Sequence, residues 1–293
     1  MASVQQGTLR AEGASIFYRS CGRGSPVLIL AGGDKDADGA DPLRDALAEH
    51  HRVITLDRRG LSRSRPDPGA APPTIATHAE DAHVLLAALT DEPAYVFGTS
   101  IGGLIGLELI TRHPEQVKML VVHEAPTGEL LPEAERDALS DAQQAMLDAF
   151  HNEGLAAAAK KSAELAGIDP EDREPDLPPP PKTPEPERNM TVLLESDVPQ
   201  AIAYRLDVPH LDVQAHKITP AAGTSTRRTL LHKSAEALAE ILERPLVEFP
   251  GGHTGWLLRP RAFAAQLVQT FAQADRRDWR LRDGASPRPG GRA

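Results

Sequence analysis

The sequence predicts an α/β protein, a mostly parallel sheet flanked by helices with a helical cap inserted into it. Three observations carry this. Apolar, strand-like runs alternate with helical stretches as far as His123, the pattern of parallel strands joined by crossover helices. One such run, Ala94 to Phe97, leads directly into Gly98, Thr99, Ser100, Ile101 and Gly102, and then into a helix-like segment from Leu104 to Thr111. After Pro126 the character changes to Glu- and Ala-rich helical sequence up to about Glu164, and the alternation resumes only at Ile218.

The first elements are a strand from Pro26 to Leu30, a helix from Leu43 to Glu49, a strand from Arg52 to Asp57, and a helix from His78 to Leu89. The strand into Gly98 and another from Val117 to His123 follow. These strands are short apolar runs without alternation, as expected where both faces of a sheet are covered. Between Pro170 and Pro186 the proline density excludes both helix and inner strand. Beyond it the pattern reads strand from Ile218 to Ala222, helix from Ala235 to Leu242, strand from Leu246 to Phe249, and helix from Pro260 to about Ala274. Residues 1–127 and 216–275 are therefore assigned to the core, and 128–215, with the proline-rich stretch 170–186, to the cap. Residues 276–293, rich in Arg, Gly and Pro with little to bury, are expected to be a disordered tail.

With 293 residues, 40% of them hydrophobic, the chain can bury one large core plus an insertion. Its 42 acidic against 32 basic residues give a net charge of −10, which argues against nucleic acid or an anionic membrane as partner. A small, neutral or weakly polar ligand is expected instead, with oligomeric state open between monomer and homodimer. No apolar run is long enough to span a bilayer, and Met1 to Ser15 lacks the charged-then-apolar pattern of a secretory signal, so a cytoplasmic location is expected. The single cysteine, Cys21, fits a reducing compartment and ends a short strand pattern, where packing is its expected role.

A sharp strand-to-helix turn at Gly98-Thr99-Ser100-Ile101-Gly102 would raise the Ser100 hydroxyl above the sheet, since glycine on either side lets the backbone pass closely. It would also leave the Ile101 N–H free at a helix N-terminus, facing an anionic intermediate. A serine nucleophile needs a base. His253 lies in Pro250-Gly251-Gly252-His253-Thr254-Gly255-Trp256, a tight loop after the last strand, with His123 and His232 as competitors. The loop from Gly223 to Thr229, after the strand that follows the cap, holds no acid, and none appears until Glu236 inside the next helix. Glu124, which ends the strand after the Ser100 turn and is followed by Ala125-Pro126, is the candidate to pair with His253.

Ala31-Gly32-Gly33-Asp34 follows the first strand, and the resemblance of the Ser100 turn to that of the α/β-hydrolases implies that this loop supplies a second oxyanion N–H, from Gly33 or in its place Asp34. The acidic run from Asp34 to Asp45 matches the start of a calcium loop, but a strand rather than a helix precedes it. It is read as a solvated acidic turn with no metal. Asp34, Tyr204, Trp256 and Leu257 are the expected pocket residues. No cofactor is implied, because there is no Gly-x-Gly-x-x-Gly after a strand, no paired cysteine and no histidine cluster at ligand spacing.

From about Ser15 to Ala274 the chain resembles the α/β-hydrolases, on the strength of the Ser100 turn, the Gly251-Gly252-His253 segment, and Asp57-Arg58-Arg59-Gly60-Leu61-Ser62 after a strand. The Ser100, Glu124, His253 set with its His123-Glu124-Ala125-Pro126 strand end further resembles the zearalenone lactonases. That resemblance implies a serine hydrolase cleaving a carboxylic ester or lactone, a zearalenone-type macrolactone included, through an acyl-enzyme. A carbon–carbon bond hydrolase on the same triad and a catalytically inactive ligand-binding relative are the alternatives. The proline-dense part of the cap has no counterpart in the lactonases.

Overall fold

Alternate residues of the central strands point to opposite faces, and this divides the core in two. A computed structural model describes residues 3–178 and 183–282. Its strands are β1 (Gln5–Ala11), β2 (Ala14–Cys21), β3 (Pro26–Leu30), β4 (Arg52–Leu56), β5 (Arg65–Pro66), β6 (Ala94–Thr99), β7 (Val117–His123), β8 (Ile218–Gly223) and β9 (Val247–Phe249). They form one sheet in the order β1-β2-β4-β3-β6-β7-β8-β9, with β5 paired to β2. β1 and β2 are antiparallel to their neighbours, while pairing from β4 through β9 is parallel throughout. β1 has an exposed, polar, glycine-containing sequence that gives no strand signal of its own; it forms by pairing with β2 at the sheet edge.

The helices are α1 (Asp41–Leu47), α2 (Ile75–Leu89), α3 (Ile101–Arg112), α4 (Glu133–Glu153), α5 (Leu155–Ala166), α6 (Pro186–Val192), α7 (Val198–Ala203), α8 (Val208–Val213), α9 (Leu230–Ile241), α10 (Gly255–Leu258) and α11 (Pro260–Arg282). α2 starts earlier than the apolar pattern suggests because Thr74 and Thr77 form a reciprocal cap, each side chain accepting from the other's backbone N–H. Leu28, Leu30, Ile54, Val96 and Val122 pack on α2 and α3, while Val27, Ile29, Val53, Phe97 and Val121 pack on α1 and α11. α4 to α8 lie between β7 and β8 in the chain, and Met146, Leu147, Ala158, Leu193 and Leu194 give them a small cluster of their own.

α11 continues to Arg282, so residues 276–282 are helical where a disordered tail is expected; 283–293 lie outside the described residues. Residues 179–182 of the proline-rich stretch are likewise outside them. Around that gap, Asp172 accepts from Arg259 Nε at 2.6 Å and from Ser225 Oγ at 2.7 Å, and Glu174 accepts from Arg261 Nε and the Ala262 N–H, each at 2.8 Å. With the Glu174 N–H also donating to Leu258 O at 2.7 Å, the stretch fastens to the loop after β8, the end of α10 and the start of α11 without secondary structure of its own there.

The acidic loop after β3 turns inward to arginines. Arg19 Nη1 lies 2.7 Å from both Asp38 and Asp41, Arg44 also binds Asp41, and Arg63 reaches Asp38 at 3.2 Å. Asp36 caps its own turn through the Asp38 and Gly39 N–H groups. Cys21 is buried, and burial pushes its thiol up from the ordinary range. Among the described residues no helix is long and apolar enough to cross a membrane.

Candidate active site

Parallel pairing aligns the C-terminal ends of β6, β7, β8 and β9, and the backbone ladder runs on past them. The Ser100 N–H donates to His123 O at 2.9 Å, the Glu124 N–H to Ala221 O at 3.0 Å, and the Thr224 N–H to Phe249 O at 3.0 Å. Ser100 and Glu124 are therefore next in line after paired strand ends, and His253 comes from the loop after β9 at the same edge. Open parallel sheets place ligand chemistry at this edge.

Ser100 sits between β6 and α3 at φ 53°, ψ −127°, a strained conformation for a side-chain-bearing residue, costing about 1–3 kcal/mol. Close approach enforces it. A Cβ on Gly98 would lie 2.5 Å from Gly102 O, and one on Gly102 would lie 1.9 Å from Leu30 O. Among the described residues the Ser100 hydroxyl makes no hydrogen bond.

Glu124 carries its carboxylate at φ 47° and is fully buried. Oε2 lies 2.8 Å from His253 Nδ1, while Oε1 accepts the Gly223 N–H at 2.9 Å and the Thr226 hydroxyl. The loop that lacks an acid thus supplies two donors that hold one, and sequence reasoning missed both Gly223 and Thr226. Burial alone would raise the Glu124 carboxyl, but the His253 hydrogen bond, the neighbouring His123 and His253 and the Thr226 hydroxyl bring it down to about 2. An unfolded glutamate takes up its proton near 4.5, so this group's stabilisation is whole above that pH and is lost as pH falls from about 4.5 to 2. Urea titrations at pH 5 and pH 2 should show the wild type losing on the order of 3 kcal/mol more than Glu124→Gln. Equal losses in the two proteins would remove this assignment.

The competing histidines sit differently. His123 is fully buried among Phe97, Phe249 and Phe263, and burial pushes it down to about 4, a neutral core residue near neutral pH. His232 Nδ1 lies 3.8 Å from Glu124 Oε1, beyond hydrogen-bond reach.

In the loop expected to hold an oxyanion, Gly33 has φ 59°, and neither its N–H nor that of Ile101, the first residue of α3, bonds to another described group. Arg58, itself buried, steadies this loop: Nη1 donates to Ala31 O and Nη2 to Gly33 O, both at 2.6 Å. Its Nη2 also reaches Asp197 Oδ2 at 2.7 Å, and Asp197 Oδ1 is 3.2 Å from His78 Nε2. No motif in the chain signals this link, which joins residues 139 positions apart.

The expected pocket residues separate. Trp256 is 3% exposed and packs edge-on against Phe97 in the core, a correction that follows from its place in α10, and Leu257 packs beside the same cluster. Asp34 binds Lys35 Nζ at 2.6 Å. Tyr204 lines a cavity of about 450 Å³ with Leu104, Pro126, Leu139, Ala201 and Ile202, and its hydroxyl donates to Glu108 at 2.6 Å. His253 lines a separate cavity of about 380 Å³ with Gly167, Asp169, Ser225, Thr254 and Arg259.

Residues 25–198 match the α/β-hydrolase fold family. The uncharacterized hydrolase YraK of Bacillus subtilis (strain 168) is 36% identical over 269 residues, which is 90% of this chain and 95% of that relative. The putative carbamate hydrolase RutD of Azorhizobium caulinodans is 39% identical over 109 residues, 37% of this chain and 40% of the relative. In fold, the chain is similar to a thermophilic esterase from Thermogutta terrifontis, with TM-score 0.66 at 19% identity over 92% of this chain and 99% of the esterase. With its parallel sheet, strained Ser100 turn and histidine loop, this chain belongs to the α/β-hydrolase family.

Proposed function

We propose that the protein is a serine hydrolase that cleaves a carboxylic ester or lactone with Ser100 as nucleophile, His253 as base and Glu124 as the orienting acid. The observation that carries this reading is the buried Glu124 carboxylate, 2.8 Å from His253 Nδ1 at the sheet edge where the strained Ser100 turn lies. A binding protein that had lost its acid would have no reason to keep this contact.

The Glu124 oxygen holds the proton on Nδ1, which leaves Nε2 as the basic nitrogen. Nε2 takes the Ser100 proton as Oγ attacks the carbonyl carbon, and the N–H groups of Gly33 and Ile101 receive the developing oxyanion. Collapse expels the alkoxide, which leaves with the proton from Nε2 and gives an acyl-enzyme on Ser100. A water deprotonated by His253 then attacks the acyl carbon and releases the acid, returning the proton to Ser100. From a lactone the alcohol stays tethered, and the product is a hydroxy acid. A macrolactone of the zearalenone type is the finer substrate proposal, and the His123-Glu124-Ala125-Pro126 strand end supports it.

A panel of 4-nitrophenyl esters and lactones tests the reaction. The wild type should release one equivalent of nitrophenol rapidly and then turn over slowly, and Ser100→Ala should do neither. Hydrolysis that persists in Ser100→Ala would defeat the proposal.

A further inference from the structure

α3 leads from Ser100 to the far edge of the sheet, and its 12 residues span about 18 Å. There the chain brings together Glu80 and His83, three positions apart on one face of α2, and His113, which follows α3. Their ligand atoms all lie within 4.8 Å of one another, and all three residues are half-buried. His113 Nε2 is 3.2 and 3.3 Å from the two oxygens of Glu80, and the His83 and His113 rings stack with centroids 3.7 Å apart.

His83 is also held from behind. Its Nδ1 lies 3.0 Å from Gln116 Oε1, and the Gln116 amide donates back to the His83 carbonyl at 3.4 Å. An amide oxygen accepts, so Nδ1 carries the hydrogen and the Nε2 lone pair is left unused. Orienting the far ring nitrogen in this way is what metal-binding histidines require of their neighbours.

We propose that Glu80, His83 and His113 form a binding site for a divalent transition-metal ion of the zinc type, with water completing four-coordination. Two imidazole nitrogens and one carboxylate favour such an ion over calcium or magnesium, which take all-oxygen ligand sets. Binding needs a turn of the His113 ring out of the stack, exchanging its hydrogen bond to Glu80 for the metal. The nearby charges are Arg112, whose Nη1 is 3.6 Å from Glu80, and Glu115, 3.8 Å from His113 Nδ1. The ion would tie α2 to the end of α3, away from Ser100, in a structural role that does not depend on the proposed hydrolysis.

Calorimetric titration of the tag-free, chelator-treated full chain with zinc chloride tests this. One equivalent should bind and raise the melting temperature, and His83→Ala and His113→Ala should each weaken binding at least tenfold, with Gln116→Ala costing about 10- to 100-fold. His253→Ala should bind as the wild type does, which separates this site from the one near Ser100. Should either histidine variant melt lower than wild type without metal, Glu80→Gln takes its place in the comparison. No binding by the wild type, or affinity retained when the ligands are replaced, would overturn the proposal.

Discussion

Replacing Glu124 by glutamine is expected to lower kcat for an ester by about four orders of magnitude while leaving the protein folded. The size of the effect comes from the two sides of the carboxylate. Oε1 accepts from the Gly223 N–H and the Thr226 hydroxyl, so a glutamine must place its oxygen there and turn its NH2 toward His253 Nδ1. That nitrogen would then have to accept, the proton would move to Nε2, and the base facing Ser100 would be lost. Shape and most packing survive, which makes the variant a test of tautomer rather than of folding. Steady-state kinetics with circular dichroism measures both, and kcat within about tenfold of wild type would mean that Glu124 does not orient the base.

Gly102→Ala should be strongly destabilising, since among the described glycines an added Cβ makes its closest backbone contact there. Its Cβ would meet Leu30 O at 1.9 Å and Leu30 C at 2.6 Å, and neither atom can turn aside because Leu30 is paired with Gly98 in the sheet. The start of α3 would have to lift away from β3, carrying the Ile101 N–H away from Gly33. Overpacking against backbone should cost about 3 kcal/mol or more in urea titration. A loss below about 0.5 kcal/mol would show that the turn is looser than its geometry states.

Much of this was readable in the residues because burial on both faces leaves a plain signal. Val27 to Leu30 is a continuous apolar run and Val53 to Leu56 is broken only by the buried Thr55, and the two pair in the parallel sheet that this pattern implies. Ser100 was visible because Gly98 and Gly102 are the only residue type that fits the turn. Glu124 emerged by elimination, from the lack of an acid between Gly223 and Thr229, and the structure adds why the place works: that loop turns its N–H and hydroxyl toward it.

What escaped the sequence is what long-range packing decides. Trp256, next to the histidine loop, reads as a pocket wall until α10 turns it into the core. Arg58 looks like one of several arginines in a turn until the fold brings Asp197 against it. Glu80 and His83 share one face of α2, but 33 positions separate Glu80 from His113, and only the packing of α2 on α3 unites the three.

The most direct test of the central claim is intact-mass analysis after treatment with a fluorophosphonate, which needs no knowledge of the substrate. The wild type should gain a single phosphonyl group, mapped by peptide digestion to Ser100, and Ser100→Ala should gain none. A wild type that stays unmodified, or a label that persists in Ser100→Ala, would contradict an activated nucleophile at Ser100.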